Sequence, residues 1–115
     1  NFPKERERLL ALLKKTNNSC TVILSGDRHS AEISKLEGIL IHPILDITSS
    51  AMNQRQKPTQ EENPLRVGER YFDENFGMLE IDWTGKSPSI QATIRSLSGE
   101  VILEYKLKNF ISQKN

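Results

Sequence analysis

Only one cysteine, Cys20, occurs in the 115 residues. That excludes an intrachain disulfide framework and a zinc ribbon, and a lone cysteine beside an apolar run reads as a small buried hydrophobe. Long hydrophobic runs are also missing. The longest, residues 38–45, is interrupted by His42 and Pro43 and is far too short to span a bilayer. No signal-peptide pattern is visible. Neither sign of charge dominates: 16 Lys and Arg stand against 15 Asp and Glu, for a net charge of +1. A basic field for nucleic acid is therefore absent, and neither nucleic acid nor a membrane is an expected partner. No glycine-rich phosphate loop of the Walker or dinucleotide type occurs, and Ser25, Ser49 and Ser50 lack the nucleophile-elbow pattern of serine hydrolases. Aromatic residues make up 6% of the chain, and Phe76, Trp83 and Tyr105 fall on strand periodicity, which makes them core rather than a base-stacking platform.

Apolar residues are modest as well, at 36%, with a mean hydropathy of −0.54. Such a chain suits one domain with a small core, a loop-rich domain, or a piece of a larger body. It opens on Asn1 rather than Met, which suggests a sequence upstream. Nothing in it indicates a compartment.

What is present reads as an α/β chain. Pro3 suits the first turn of a helix over residues 4–15, with Glu5 and Glu7 near its positive end, Lys14 and Lys15 near its negative end, and Asn17 or Asn18 as its stop. Leu9 and Leu13 give it one sticky edge. Residues 20–25 read as a buried strand, because Val22 and Ile23 are β-branched and sit in an unbroken apolar run. A polar bend follows, with a helical turn expected over residues 31–35. Residues 39–47 read as a second buried strand, broken at Pro43. Residues 53–62 are polar and read as a surface loop. From Arg70 the period is two: Leu79, Ile81 and Trp83, then Ile90, Ala92 and Ile94, then Val101, Leu103, Tyr105 and Leu107 alternate with polar neighbours. With turns at residues 84–88 and 96–99 this predicts an antiparallel meander with one apolar face. The chain thus divides into helix–strand–loop–strand over 1–52, a loop over 53–69 and antiparallel strands over 70–115.

The chemistry concentrates behind the first strand. Gly26 allows a sharp turn, and Asp27 and His29 follow it at the carboxyl end of a strand, where open α/β sheets place their ligands. A carboxylate and an imidazole there suit metal ligation or acid–base work. The plain alternative is a turn in which Asp27 caps amides and His29 is merely exposed. His42, within an apolar run, fits a core or edge position better than a ligand. Asp46, Thr48, Ser49 and Ser50 either line a site at the end of the second strand or cap the next segment. Arg66 and Arg70 carry planar forks suited to phosphate, against the usual fate of arginines as solvated surface groups.

These residues, in order, resemble the carboxyl-terminal third of the alkaline phosphatase D family. The resemblance is carried by Phe2-Pro3-Lys4-Glu5-Arg6, Val22-Ile23-Leu24-Ser25-Gly26-Asp27-Arg28-His29, Leu45-Asp46-Ile47-Thr48-Ser49-Ser50, Asn63-Pro64-x-Arg66-Val67-Gly68, and Asn75 through Trp83. It implies a metallophosphoesterase, a sandwich of two β-sheets flanked by helices that hydrolyses phosphate mono- or diesters at a dinuclear or polynuclear centre, typically of calcium and iron. It implies that Gly26-Asp27-Arg28-His29 corresponds to the last metal motif, with Asp27 and His29 as ligands; Arg66 and Arg70 are candidate substrate contacts on their own chemistry and not through the resemblance. Members are often exported. The family's earlier motifs, an Asp-x-His, a second Gly-Asp and an Asn-His, do not occur here. A water-activating metal needs about three or four protein ligands. The expectation is therefore the carboxyl-terminal part of such a hydrolase, inactive alone, with an apolar sheet face and strand edges left for the rest of the domain or a second copy of the chain. The alternative is a free-standing β-rich interaction module whose sheet edge pairs with a partner strand.

Overall fold

Pro3 opens α1 (Pro3–Lys15), and the computed structural model describes residues 2–108 of the chain. Glu5 lies in the first turn of α1 and Lys14 and Lys15 in the last, each on the side that the helix dipole favours. The helix stops where expected: Asn17 turns into the left-handed region at φ 56°, and its N–H donates to the Lys14 carbonyl at 3.2 Å. No residue of α1 is buried. The helix stands over the outer face of a sheet across a cleft of about 540 Å³, lined by Leu9, Leu10, Ile23, Ile44 and Asp46 among others.

That sheet has four strands, β1 (Thr21–Ser25), β2 (Ala31–Leu36), β3 (Ile44–Ser49) and β4 (Arg66–Tyr71), in the order β1-β3-β2-β4. β1 runs parallel to β3, with Val22 opposite Leu45 and Leu24 opposite Ile47. β2 is antiparallel to both of its neighbours. The helical turn expected over residues 31–35 is thus a strand. Its Glu, Ser and Lys content favours no sheet locally, but Ala31 and Ile33 are fully buried between two partner strands, and that packing decides. The second buried strand begins at Ile44, just past Pro43, because proline cannot donate to the ladder, and it runs on to Ser49. β4 begins inside the segment expected as loop. A register shift against β2 and a positive φ of 71° at Gly68 break its alternation, which hides it from a period-two reading.

The second sheet is the expected meander: β5 (Asn75–Asp82), β6 (Ser89–Ser96) and β7 (Val101–Lys108), all antiparallel. The part of the 70–115 segment beyond Lys108 lies outside the described residues. Leu79, Ala92 and Tyr105 stand in one row, and Gly77, Ile94 and Leu103 in another, so these positions share a face as their spacing predicts, whereas Trp83 lies past the end of β5 and is 68% exposed, and a register shift sets Val101 opposite Arg95. That face meets the inner face of the four-stranded sheet. Ala31, Ile33, Ile47, Ala92 and Ile94 form the buried centre, with Val22, Val67, Tyr71, Leu103 and Tyr105 packed around it.

The two sheets close on each other where β2 and β4 meet β7 and where the end of β3 meets the start of β5, Ser49 lying against Gly77, but not between β1 and the far half of β5. Leu24 shares the inward face of β1 with Val22, yet it is 65% exposed. Leu79 and Ile81 on the inward face of β5 are also exposed. Between these strands opens a cavity of about 590 Å³, lined by Leu24, Ile47, Ser49, Asn75, Gly77 and Leu79 among others. Among the described residues β1 is paired only with β3, and β5 only with β6, so each has one edge without a partner strand there.

Candidate functional site

The turn between β1 and β2 carries two backbone anomalies. Asp27 has φ 65° and His29 has φ 47°. Left-handed backbone is uncommon for any residue with a Cβ; Asp, Asn and His tolerate it best. Each such residue costs about 1–3 kcal/mol and persists only where its surroundings over-determine it. Gly26, beside them, has nothing within 4 Å of where a Cβ would stand, so the turn leaves β1 into open space. Asp27 is exposed and His29 half-buried.

A set of hydrogen bonds fixes this backbone. Arg28 N–H donates to Ser50 Oγ at 3.0 Å, and Ser50 Oγ donates to the Ser30 carbonyl at 3.1 Å. Ser50 N–H reaches the same carbonyl at 3.2 Å. The Ser30 hydroxyl donates back to the Arg28 carbonyl at 3.1 Å. Gln56 N–H donates to the His29 carbonyl at 2.7 Å, tying the polar 53–62 loop onto the turn. The turn is therefore held from β3's end and from the long loop at once.

A cluster of arginines lies under it. Arg70, on β4, has a side chain only 4% exposed. Its Nε and Nη2 donate to Ser30 Oγ at 3.0 and 2.9 Å, its Nη2 to Gln56 Oε1 at 3.1 Å, and its Nη1 to Thr59 Oγ1 at 3.3 Å. Nη1 also donates to Glu61 Oε2 at 2.9 Å, and the guanidinium stacks over Phe72 at 5.0 Å from the ring centre. The same Glu61 oxygen accepts from Arg28 Nη2. The Arg28 guanidinium first, and Arg70 after it, hold the Glu61 carboxyl below its ordinary value of 4.5. Arg66 is engaged separately, with Nε on Glu32 Oε2 at 2.6 Å and Nη2 on the Glu61 carbonyl at 2.9 Å.

The structure thus brings Asp27, His29, Arg28 and Arg70 to one end of the four-stranded sheet. Arg66 stays on the same β4, but its fork is taken up by Glu32 and main chain. His42 is elsewhere: it precedes β3, whereas the turn follows parallel β1, so a strand of five residues, roughly 15 Å, separates them. Its N–H donates to the Ser19 carbonyl at 2.9 Å. Asp46 sits mid-strand on the outer face, lining the cleft under α1, with its Oδ1 buried and without a hydrogen-bond partner among the described residues. Ser49 does stand at β3's carboxyl end; its Oγ donates to Asn75 Oδ1 at 2.8 Å and so links the two sheets.

Sequence reasoning did not find Ser30, Gln56 or Glu61. No local string marks them, since the links from Ser30 and Glu61 to Arg70 and from Gln56 to His29 join different elements. Donor chemistry at Asp27 and His29 suits a divalent ion, yet among the described residues no group of three or more His, Cys, Asp or Glu could hold one. Two donors on one turn make part of a cage and not a whole one. No family model, curated protein or solved structure matches the chain.

Proposed function

We propose that this chain is the carboxyl-terminal part of a metal-dependent phosphatase or phosphodiesterase resembling the alkaline phosphatase D family, in which Asp27 and His29 donate to a metal centre completed by residues outside it. The observation that carries the reading is the paired left-handed backbone at Asp27 and His29, clamped by Ser50 and Gln56. Strained backbone over-determined by its neighbours clusters at functional sites, and here it coincides with the one Gly-Asp-x-His string. The side left open between β1 and β5 supports the same reading, since a sandwich core continued by further strands would cover Leu24, Leu79 and Ile81.

A bound metal of this kind polarises phosphoryl oxygens and lowers the pKa of a coordinated water. This chain's own part is narrower. The turn presents one carboxylate and one imidazole with their backbone fixed. Ser50, Ser30 and Gln56 keep that backbone from relaxing. Arg70, nearly buried, anchors Ser30 and the long loop together.

The test is hydrolysis of p-nitrophenyl phosphate and its bis ester with calcium, iron, manganese or zinc supplied. The chain alone should turn over neither, and the coding sequence upstream of Asn1 should carry Asp-x-His and Asn-His motifs. Robust turnover lost in His29→Ala overturns the incompleteness, and an upstream sequence without those motifs overturns the parentage. A second reading, an interaction module without catalysis, is favoured by the exposed apolar residues at the β1 and β5 edges. It predicts partner-strand binding unaffected by His29→Ala.

A further inference from the structure

Glu61 bridges two guanidiniums with a single oxygen. Arg28 Nη2 and Arg70 Nη1 both converge on Oε2, and among the described residues neither arginine has another acidic partner. Two guanidiniums against one carboxylate leave a surplus of one positive charge. Of the other acids near the turn, Glu32 is already paired to Arg66, and Asp27 makes no ion pair with Arg28 or Arg70 among the described residues. A fork of two guanidiniums is the geometry that recognises a tetrahedral oxyanion, and a phosphate or phosphomonoester carries about −1.5 to −2 charges near pH 7. Such a group fits the surplus better than a carboxylate does.

Burial and tethering of the parts differ in the way an exchange requires. Arg70 is fixed by four other hydrogen bonds, to three acceptors on Ser30, Gln56 and Thr59, and its side chain is 4% exposed. Arg28 is 46% exposed and flanked in sequence by Asp27 and His29. Glu61 is 50% exposed and comes from a loop without regular secondary structure. Its carbonyl is tied to Arg66, so the side chain can swing out while the backbone stays. From these observations we infer that Arg28 and Arg70 form a phosphate-binding fork whose place is held, in the free protein, by the Glu61 carboxylate. The ligand is a phosphoryl oxyanion, and calling it the substrate's phosphate rests on the phosphoesterase reading above. Glu61 is then a tethered competitor, at an effective concentration in the millimolar range for so short a tether. Removing its charge should tighten anion binding by the fraction of time that it occupies the fork.

The experiment titrates inorganic phosphate into the 15N-labelled chain at fixed ionic strength, with chloride as the control anion. The Arg28 and Ser30 amides report the fork; the Ile33 and Ile94 amides report the fold. Glu61→Gln should lower the apparent Kd at least about fivefold, and adding Arg28→Gln should abolish that gain. Glu61→Ala is the second variant and should gain as much. No tightening in either Glu61 variant with the core amides unchanged overturns the inference, as does a gain that survives Arg28→Gln or one that chloride reproduces. The titration needs no metal, so the fork can stand where metal donation by Asp27 and His29 fails, and the reverse.

Discussion

Ser50 grips Ser30 twice, its amide at 3.2 Å and its hydroxyl at 3.1 Å from one carbonyl oxygen. The hydroxyl that donates to Ser30 also accepts the Arg28 amide at 3.0 Å, so one side chain spans the turn that carries Asp27 and His29. Replacing it leaves that amide without its partner. Ser50→Ala should destabilise the fold by about 1–3 kcal/mol, and should speed amide exchange at Arg28 and Ser30 far more than at Ile33. Equal acceleration throughout would mean that Ser50 contributes only to global stability.

Acid should loosen the same region. Glu61 has its folded pKa depressed by Arg28 and then Arg70. A depressed carboxylate contributes stability that is complete above its unfolded value of 4.5 and is lost as pH falls through the lower folded value. The gap in melting temperature between wild type and Glu61→Gln should therefore be constant above about pH 6 and shrink between about pH 5 and pH 3. A gap that widens in acid would contradict the arrangement. Glu61 is half exposed, so the effect is modest and fades with salt.

Gly68 is the residue that lets β4 pass β7. Its φ is 71°, and an added Cβ would stand 3.3 Å from Leu103 Cδ2. Gly68→Ala combines backbone strain with a tight contact and should cost about 1–3 kcal/mol in urea unfolding. No loss of stability would mean that the bulge in β4 relaxes freely.

The open side of the sandwich gives a contrast between two inward-facing residues. Ile94 is fully buried, and Ile94→Ala should cost about 2–5 kcal/mol. Leu24 is 65% exposed, and Leu24→Gln should shift stability by no more than about 0.5 kcal/mol in either direction. A large loss at Leu24 would mean that this side is covered.

Much of the fold could be read from alternation and turn chemistry. The helix opened by Pro3, the strand before Gly26 and the meander rows of Leu79, Ala92 and Tyr105 follow from spacing alone. β2 and β4 could not be read so. β2 carries Glu32, Ser34 and Lys35 and becomes a strand because β3 and β4 flank it. β4 holds a bulge at Gly68 that breaks its period. The site divides the same way. Asp27 and His29 lie in one short string with glycine before it, whereas the Ser30–Arg70 and Gln56–His29 links join residues 40 and 27 positions apart. Only the pairing of β2 with β4, and of the long loop with the turn, brings them together.

Under the proposed function Asp27 and His29 act as a pair toward a metal ion. Manganese titrated into the labelled chain tests it most directly, because a carboxylate and an imidazole both accept that ion and its paramagnetism broadens only nearby signals. Broadening centred on residues 27–29, lost in Asp27→Asn and in His29→Ala with Ile33 and Ile94 unaffected, is the predicted result. Broadening centred elsewhere, or unchanged by both substitutions, would contradict it.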